Sequence, residues 1–427
     1  MPMPIPSETD LSKLPINGHH AMNIIYADNN ATTRVAPEVV EAMLPYFSDL
    51  YFNPSSMYES ARQTADAMKS ARARVAGALN ASPAEILFTS GASESNNTAL
   101  WGAFRSNSGR RRVITTTVEH PAVLEVCKEL QRHGCDVTFL GVDSRGNLDI
   151  GEFVRALTPD TLLVTIMHAN NETGVIFPVE QLSRIAKETD PSILFHTDAT
   201  QTVGKLPIDL AREYQFVDLL SFSGHKLHAP KGVGALYIRR GTPCRPFLLG
   251  GHQEGGRRAG TENVPYIVGL AAALELSLAA RNEDEERIER MRNRLENTLK
   301  EKIPFLQVNG EGAPRLPNTL NVSCHFIEGE GMLYQLSEYG ICASSGSACT
   351  SGSLEPSHVL RALKVPFTAV HGSVRFSFSR YTTEAEIDRI IEVFPQIVIN
   401  LRKISPYWDS AKNSPRPEAE AMLQPSA

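Results

Sequence analysis

Between about residues 85 and 240, short apolar runs alternate with stretches whose apolar residues recur every three or four positions. The runs "EILFTS", "RVITTT", "TLLVTIMHA", "SILFHTD", "VDLLSFS" and "GALYIRR" read as strands. Between them, "ESNNTALWGAFRS", "PAVLEVCKELQRHG" and "PVEQLSRIAKET" carry a helical period, the last opening at a proline, as first turns often do. Alternation of this kind predicts an α/β domain around a mostly parallel sheet.

The pattern then changes. "RNEDEERIERMRNRLENTLKEK" predicts a long, charge-dense amphipathic helix whose charges form a solvated face. Beyond it, "FLQVNG", "NTLNVSCHFI", "GICASS" and "SVRFSFSRY" alternate with helices and predict a smaller α+β domain. Its last helix, "EAEIDRIIEVFPQIVINLRKI", starts at a capping box made by Thr383 and Glu386. The chain thus divides into a loose tail over 1–21, a short segment over 22–32 that belongs with the smaller domain, a large domain over 33–281, a small domain over 282–408 and a second loose tail over 409–427. The tails are rich in Pro, Ser and Ala.

Length agrees with two domains, since 427 residues exceed the roughly 250–300 at which one core stops growing. Charge narrows the partners. With 42 Lys and Arg against 48 Asp and Glu, the net charge of -6 gives no basic footprint for nucleic acid. The most apolar stretch, "IVGLAAALELSLAA", is interrupted by Glu275 and falls short of a bilayer span, so no membrane partner is expected. The N-terminus lacks the basic patch and apolar run of an export signal, and a cytoplasmic protein is expected. The cysteines at 127, 135, 244, 324, 342 and 349 form no C-x-x-C pair and no zinc spacing.

Candidate chemistry collects where the strands end. In open parallel sheets ligands sit beyond the carboxyl ends of the strands. "ILFTSGASES" leaves a strand through a glycine turn into a helix, so the amides around Ala92 and Ser93 suit an anion such as phosphate, although a serine there is also an ordinary cap. His120, Asn171, Asp198, Gln201 and Lys226 follow other strands on the same edge. Each alone is explained by a cap or a turn; their coincidence on one edge points to a site. An amine flanked by Ser223, Gly224 and His225, a carboxylate, an imidazole and an anion-binding helix start are the equipment for pyridoxal phosphate. Arg375 alternates with apolar residues in "SVRFSFSRY" and is expected on the polar face of a half-buried strand. Cys349 lies in "SSGSACTSGS", where nothing bulky is near enough in sequence to pack against it.

"YADNNATTRVAPEVV", "NPSS", "FTSGASES", "VEHPAVL", "ANNETG", "HTDATQ", "SFSGHKLHAPKGVGALYIRRG", "GGHQEGGRRAGTEN" and "SSGSACTSGSLEPSHV" together resemble the pyridoxal-phosphate-dependent cysteine desulfurases of the nitrogen-fixation, NifS-like type. The resemblance runs from about residue 24 to 408. It implies the fold-type I transferase architecture of class V aminotransferases, with a seven-stranded large domain that binds the cofactor and a small domain that carries the catalytic-cysteine loop. It also implies a homodimer that turns L-cysteine into L-alanine, with the sulfur passing to Cys349 as a persulfide and on to an iron–sulfur scaffold protein, in this type for nitrogenase.

Carried over by position, Lys226 is the Schiff-base lysine, Asp198 the partner of the pyridinium nitrogen, and His120 the ring-stacking residue and proton handler. Gln201 bonds the phenolic oxygen and Asn171 contacts substrate or cofactor. Ala92, Ser93, Ser223, Gly224 and His225 surround the phosphate, with Thr261 arriving from the other subunit. Arg375 takes the substrate carboxylate. Cys349, on an arm hinged at Gly346 and Gly352, is the nucleophile and the one residue that could transiently ligate an iron–sulfur cluster; no resident metal site is expected. Ser93 stands where many relatives have threonine. On the residues alone, a selenocysteine lyase or aminotransferase of the same fold, or a non-catalytic docking partner of a scaffold, is the alternative.

Overall fold

The computed structural model describes residues 24–107, 109–345 and 356–420. Its largest element is a seven-stranded sheet of β2 (Ile86–Thr89), β3 (Arg112–Thr116), β4 (Asp136–Leu140), β5 (Thr161–Thr165), β6 (Leu194–Asp198), β7 (Leu219–Ser223) and β8 (Gly234–Ile238); β1 (Ile25–Tyr26) lies elsewhere. The order is β2-β8-β7-β6-β5-β3-β4, and only β8 runs antiparallel to its neighbours. β5 to β8 are buried along their whole length, as continuous apolar runs in a covered parallel sheet should be. β4, which the six runs read from the sequence leave out, is the edge strand, and its partial exposure dilutes the apolar signal.

Chain order reverses around β3: β4 pairs on one side and β5 on the other, which opens a crevice at the carboxyl ends of these strands. Helices Ala92–Ser106 and Pro121–Arg132 start from that same edge.

A second, smaller sheet is formed by β9 (Leu306–Val308), β10 (Thr319–Cys324) and β12 (Ser373–Ser377), antiparallel throughout. β11 (Ile341–Cys342) pairs in parallel with β1, and single bridges from Asp28 to Ser377 and from Ser344 to Arg375 tie this pair to β12. Ile25 and Ala27 accordingly pack into the small lobe's core with Leu320, Phe376 and Phe394. The capping box at Thr383 and Glu386 is present, opening helix Glu384–Ile404. Val359, Leu360, Ala369 and Val370 join the large hydrophobic cluster instead.

A 39-residue helix, Val264–Lys302, runs between the lobes. By length and composition it is long and apolar enough to cross a bilayer, which the shorter stretch broken at Glu275 did not predict; Glu275 sits within the continuous helix and pairs with Arg74. Its apolar side chains Ile267, Leu270, Ala271 and Leu274 are buried in the large core, and Ile288, Leu295 and Leu299 in the small one.

The expected loose tail is ordered over 409–420. Trp408–Asp409 pairs with Ser414–Pro415, Pro417–Glu420 is helical, and Ala419 packs on Trp408 and Phe326. Trp408 also meets Phe305, and the Arg402 guanidinium lies 4.6 Å over its ring. The polar composition of the segment hides this anchor, because the burial comes from residues a hundred positions away.

Candidate active site

A cleft of about 570 Å³ opens at the carboxyl ends of β2, β3, β5, β6 and β7. Ala92, Ser93, His120, Asn171, Asp198, Gln201, Ser223, His225, Lys226 and Arg375 all line it. Two expected members do not. Gly224 faces the core, where an added Cβ would meet Ala229 and Leu270 at 3.0 and 3.2 Å. Thr261 is exposed and belongs to a segment outside this cleft. Cys349, Gly346 and Gly352 lie outside the described residues.

The turn after β2 makes the anion end. Gly91 caps helix Ala92–Ser106, whose first amides face the cleft. Gly234 of β8 permits this turn to come close, since a Cβ there would meet Gly91 Cα at 2.7 Å. Glu94 holds the turn by accepting from Ser90 N at 2.8 Å, and Arg258 holds Glu94 at 2.9 Å. His225 adds an imidazole whose Nδ1 lies 3.1 Å from Thr32 Oγ1. Burial, followed by the charges of Lys226 and Lys231, pushes His225 down to about 4, so it is neutral near pH 7.

Asp198 is buried at the end of β6. Asn96 Nδ2 donates to its Oδ2 at 2.7 Å and Thr200 N to its Oδ1 at 3.0 Å, which fixes the carboxylate plane. Asn96 Oδ1 and Thr200 Oγ1 are buried without partners among the described residues. His120 caps helix Pro121–Arg132 by accepting from Ala122 N at its Nδ1, 3.1 Å away, so the neutral ring carries its proton on Nε2. Burial lowers its proton affinity; Asp198 opposes this and Lys226 adds to it. Beside it, desolvation pushes the buried Glu119 up to about 8, against donors from Met167 N and Thr116.

Lys226 Nζ donates to the carbonyls of Asn30 and Ala31, both at 2.6 Å. Gln201 Nε2 donates to the same Asn30 oxygen at 3.1 Å. Asn30 in turn is locked by its side chain to Thr319 and Asn318 of the small lobe. This role is not legible in the sequence, because a backbone carbonyl carries no side-chain signature.

Arg375 is 1% exposed, and β12 is buried on both faces rather than half-buried. One face carries Val374 and Phe376 into the small core; Arg375 points from the other face into the cleft. Its guanidinium bonds Asp28 Oδ1 at 2.7 Å and the Asn171 carbonyl at 2.9 Å, while Nε is buried without a partner among the described residues. A buried arginine with donor capacity to spare is suited to an anionic ligand.

The residues flanking segment 346–355 are anchored at this cleft. Ser344 pairs through its backbone with Arg375. On the far side, Ser357 Oγ donates to Glu172 Oε2 at 2.5 Å, and His358 Nε2 lies 2.9 Å from the Glu119 carbonyl. Glu172 is pushed up to about 7 by burial.

An open sheet with an amine, a fixed carboxylate and a helix start gathered at its switch point defines a two-lobed transferase scaffold. The aminotransferase class-V family model matches residues 25–390, and the chain belongs to that family. It is 55% identical over 386 residues to the cysteine desulfurase of Nostoc sp. strain PCC 7120, covering 90% of this chain and 96% of that protein. It is 52% identical to the cysteine desulfurase NifS of Azotobacter vinelandii over 385 residues, or 90% of this chain and 95% of that one. A solved NifS-like protein superimposes with a TM-score of 0.83 at 41% identity, covering 88% of this chain and all of the other.

Proposed function

We infer that the protein is an enzyme, a cysteine desulfurase that works with pyridoxal 5′-phosphate. The observation that carries this reading is the convergence of Lys226, Asp198, His120, Gln201 and Arg375 on one cleft next to an open helix start. The cleft fits the cofactor on its own terms, since the helix amides suit a phosphate and Asp198 is fixed for a ring nitrogen, and the spare Arg375 Nε suits the carboxylate of an amino-acid substrate. Bound there, the cofactor supplies an aldehyde for amines and a ring that accepts electrons from the substrate's α-carbon.

Each residue then has a task. Ala92, Ser93, Ser223 and His225 would hold the phosphate, Gln201 would bond the phenolic oxygen, and Asp198 would keep the ring nitrogen protonated. Lys226 would be the amine that holds the cofactor's aldehyde, and its Nζ is placed to move the substrate's α-proton. Arg375 orients the L-cysteine carboxylate and Asn171 borders it. His120 exchanges protons with the thiols through Nε2. Cys349 takes the substrate sulfur, so that L-cysteine plus the enzyme thiol gives L-alanine plus the enzyme persulfide, and no external oxidant is required. Thr261, exposed and outside its own cleft, serves the partner's phosphate in a homodimer. The acceptor we propose is an iron–sulfur scaffold protein serving nitrogenase, in the cytoplasm; this follows the nitrogen-fixation resemblance.

Mass spectrometry after exposure to L-cysteine tests the reading. The peptide holding residue 349 gains one sulfur in the wild type, while Cys349→Ser keeps the yellow cofactor and releases no sulfide. Sulfide production by Cys349→Ser at the wild-type rate would remove Cys349 from the mechanism.

A further inference from the structure

We infer that Lys205 is a positioning residue for the cofactor: by donating to Gln201 it commits that side chain's oxygen and turns its amide nitrogen toward the site. The inference rests on the cofactor reading above. Lys205 follows Gln201 by one helical turn's worth of sequence in the loop after β6. Lys205 is half-buried and borders a cavity of about 70 Å³ between the lobes. Lys205 Nζ lies 3.2 Å from Gln201 Oε1, and Gln201 Nε2 lies 3.1 Å from the Asn30 carbonyl, which also accepts from Lys226 Nζ. Three polar side chains from two loops thus meet through one amide and one backbone oxygen.

The two ends of a glutamine amide have nearly the same shape, so hydrogen bonding decides which end faces where. An ammonium only donates, and therefore it selects Oε1. With Oε1 engaged, Gln201 can offer the cleft only N–H. That matters for a phenolic oxygen carrying negative charge, which a donor stabilises and a carbonyl oxygen would repel. Lys205 was not among the residues singled out in the sequence, because its distance from the cleft in the chain says nothing of its hold on Gln201.

Other charges face Lys205 too. Lys226 and His228 approach from the turn after β7, and Arg375 and Arg380 from β12 and its exit. Arg281, Asp284 and Glu285 of the long helix close the cavity, with Asp284 held by Arg380 at 2.9 Å. Burial, then Lys226 and Arg375, push the Lys205 amine down to about 7. Above that pH it is increasingly neutral and gains a lone pair, but it keeps two N–H donors, and the Asn30 carbonyl, which only accepts, holds Gln201 Nε2 on the opposite side. The sign follows. Losing the donor chain destabilises the deprotonated phenolic oxygen and raises its proton affinity; losing whatever positive charge Lys205 carries acts in the same direction.

The test titrates the visible absorption band of the holoenzyme from neutral to alkaline pH. Lys205→Met should raise the midpoint by about one pH unit, a tenfold gain in proton affinity. Lys205→Leu should shift it the same way, and Lys205→Arg, which keeps a donor, should leave it near the wild type. In a Gln201→Met background, Lys205→Met should add less than half of its single-variant shift. An unmoved midpoint in both Lys205→Met and Lys205→Leu overturns the inference, as does a full shift that persists without Gln201. A wild-type protein that develops no band with pyridoxal phosphate overturns the cofactor reading and this inference with it, so the two failures are told apart.

Discussion

Arg375 does two jobs with one guanidinium. Its bonds to Asp28 and the Asn171 carbonyl join the N-terminal segment, the large lobe and β12, and its Nε remains for a ligand. Lysine in its place keeps the charge and loses the planar fork. Arg375→Lys should raise KM for L-cysteine by at least about tenfold, roughly 1.4 kcal/mol or more of lost binding, with a smaller change in kcat. Steady-state kinetics checks this, and an unchanged KM would remove Arg375 from substrate binding. At this scale the sequence was most legible where a side chain's chemistry depends on its place at a strand end, as for Asp198, His120 and Lys226. It was silent on Asn30, whose carbonyl reaches Lys226 across 196 positions, and on Asp28 and Asn96, whose ordinary polar side chains acquire meaning only from what they touch.

Among the elements, those with local signals were readable: the fully buried strands β5 to β7, and the last large helix, fixed at its start by Thr383 and Glu386. β4 was not read as a strand because an edge position exposes part of it, and the hairpin after Trp408 was not read because its stability is tertiary. Trp408 is 4% exposed among Phe305, Phe326 and Arg402. Trp408→Ala should therefore destabilise this corner by about 3 kcal/mol or more. Limited proteolysis measures the result: cleavage between 409 and 420 should accelerate strongly, and an unchanged rate would mean that the aromatic anchor does not hold the segment.

For the molecule as a whole, the exposed rings mark the face on which the proposed homodimer would pack. Tyr51 stacks on Phe52 and Phe52 meets Tyr58, while Met57 beside them is fully exposed. A linked aromatic patch of this kind marks an interface more often than a bare surface. We predict that Tyr51→Asp combined with Met57→Asp gives monomers in sedimentation and weakens cofactor retention, the latter following from the role proposed above for Thr261. Dimers that persist unaltered would move the interface elsewhere. The nearby turn around Glu254, despite its run of glycines, is pinned: Glu254 pairs with Arg72 at 2.5 Å and accepts from Phe88 N at 3.0 Å.

The helix Val264–Lys302 contributes to both cores without a break. A boundary drawn near residue 281 is therefore no place to cut: severing the rod would strip each fragment of part of its own interior, and neither lobe should survive as an independently expressed piece.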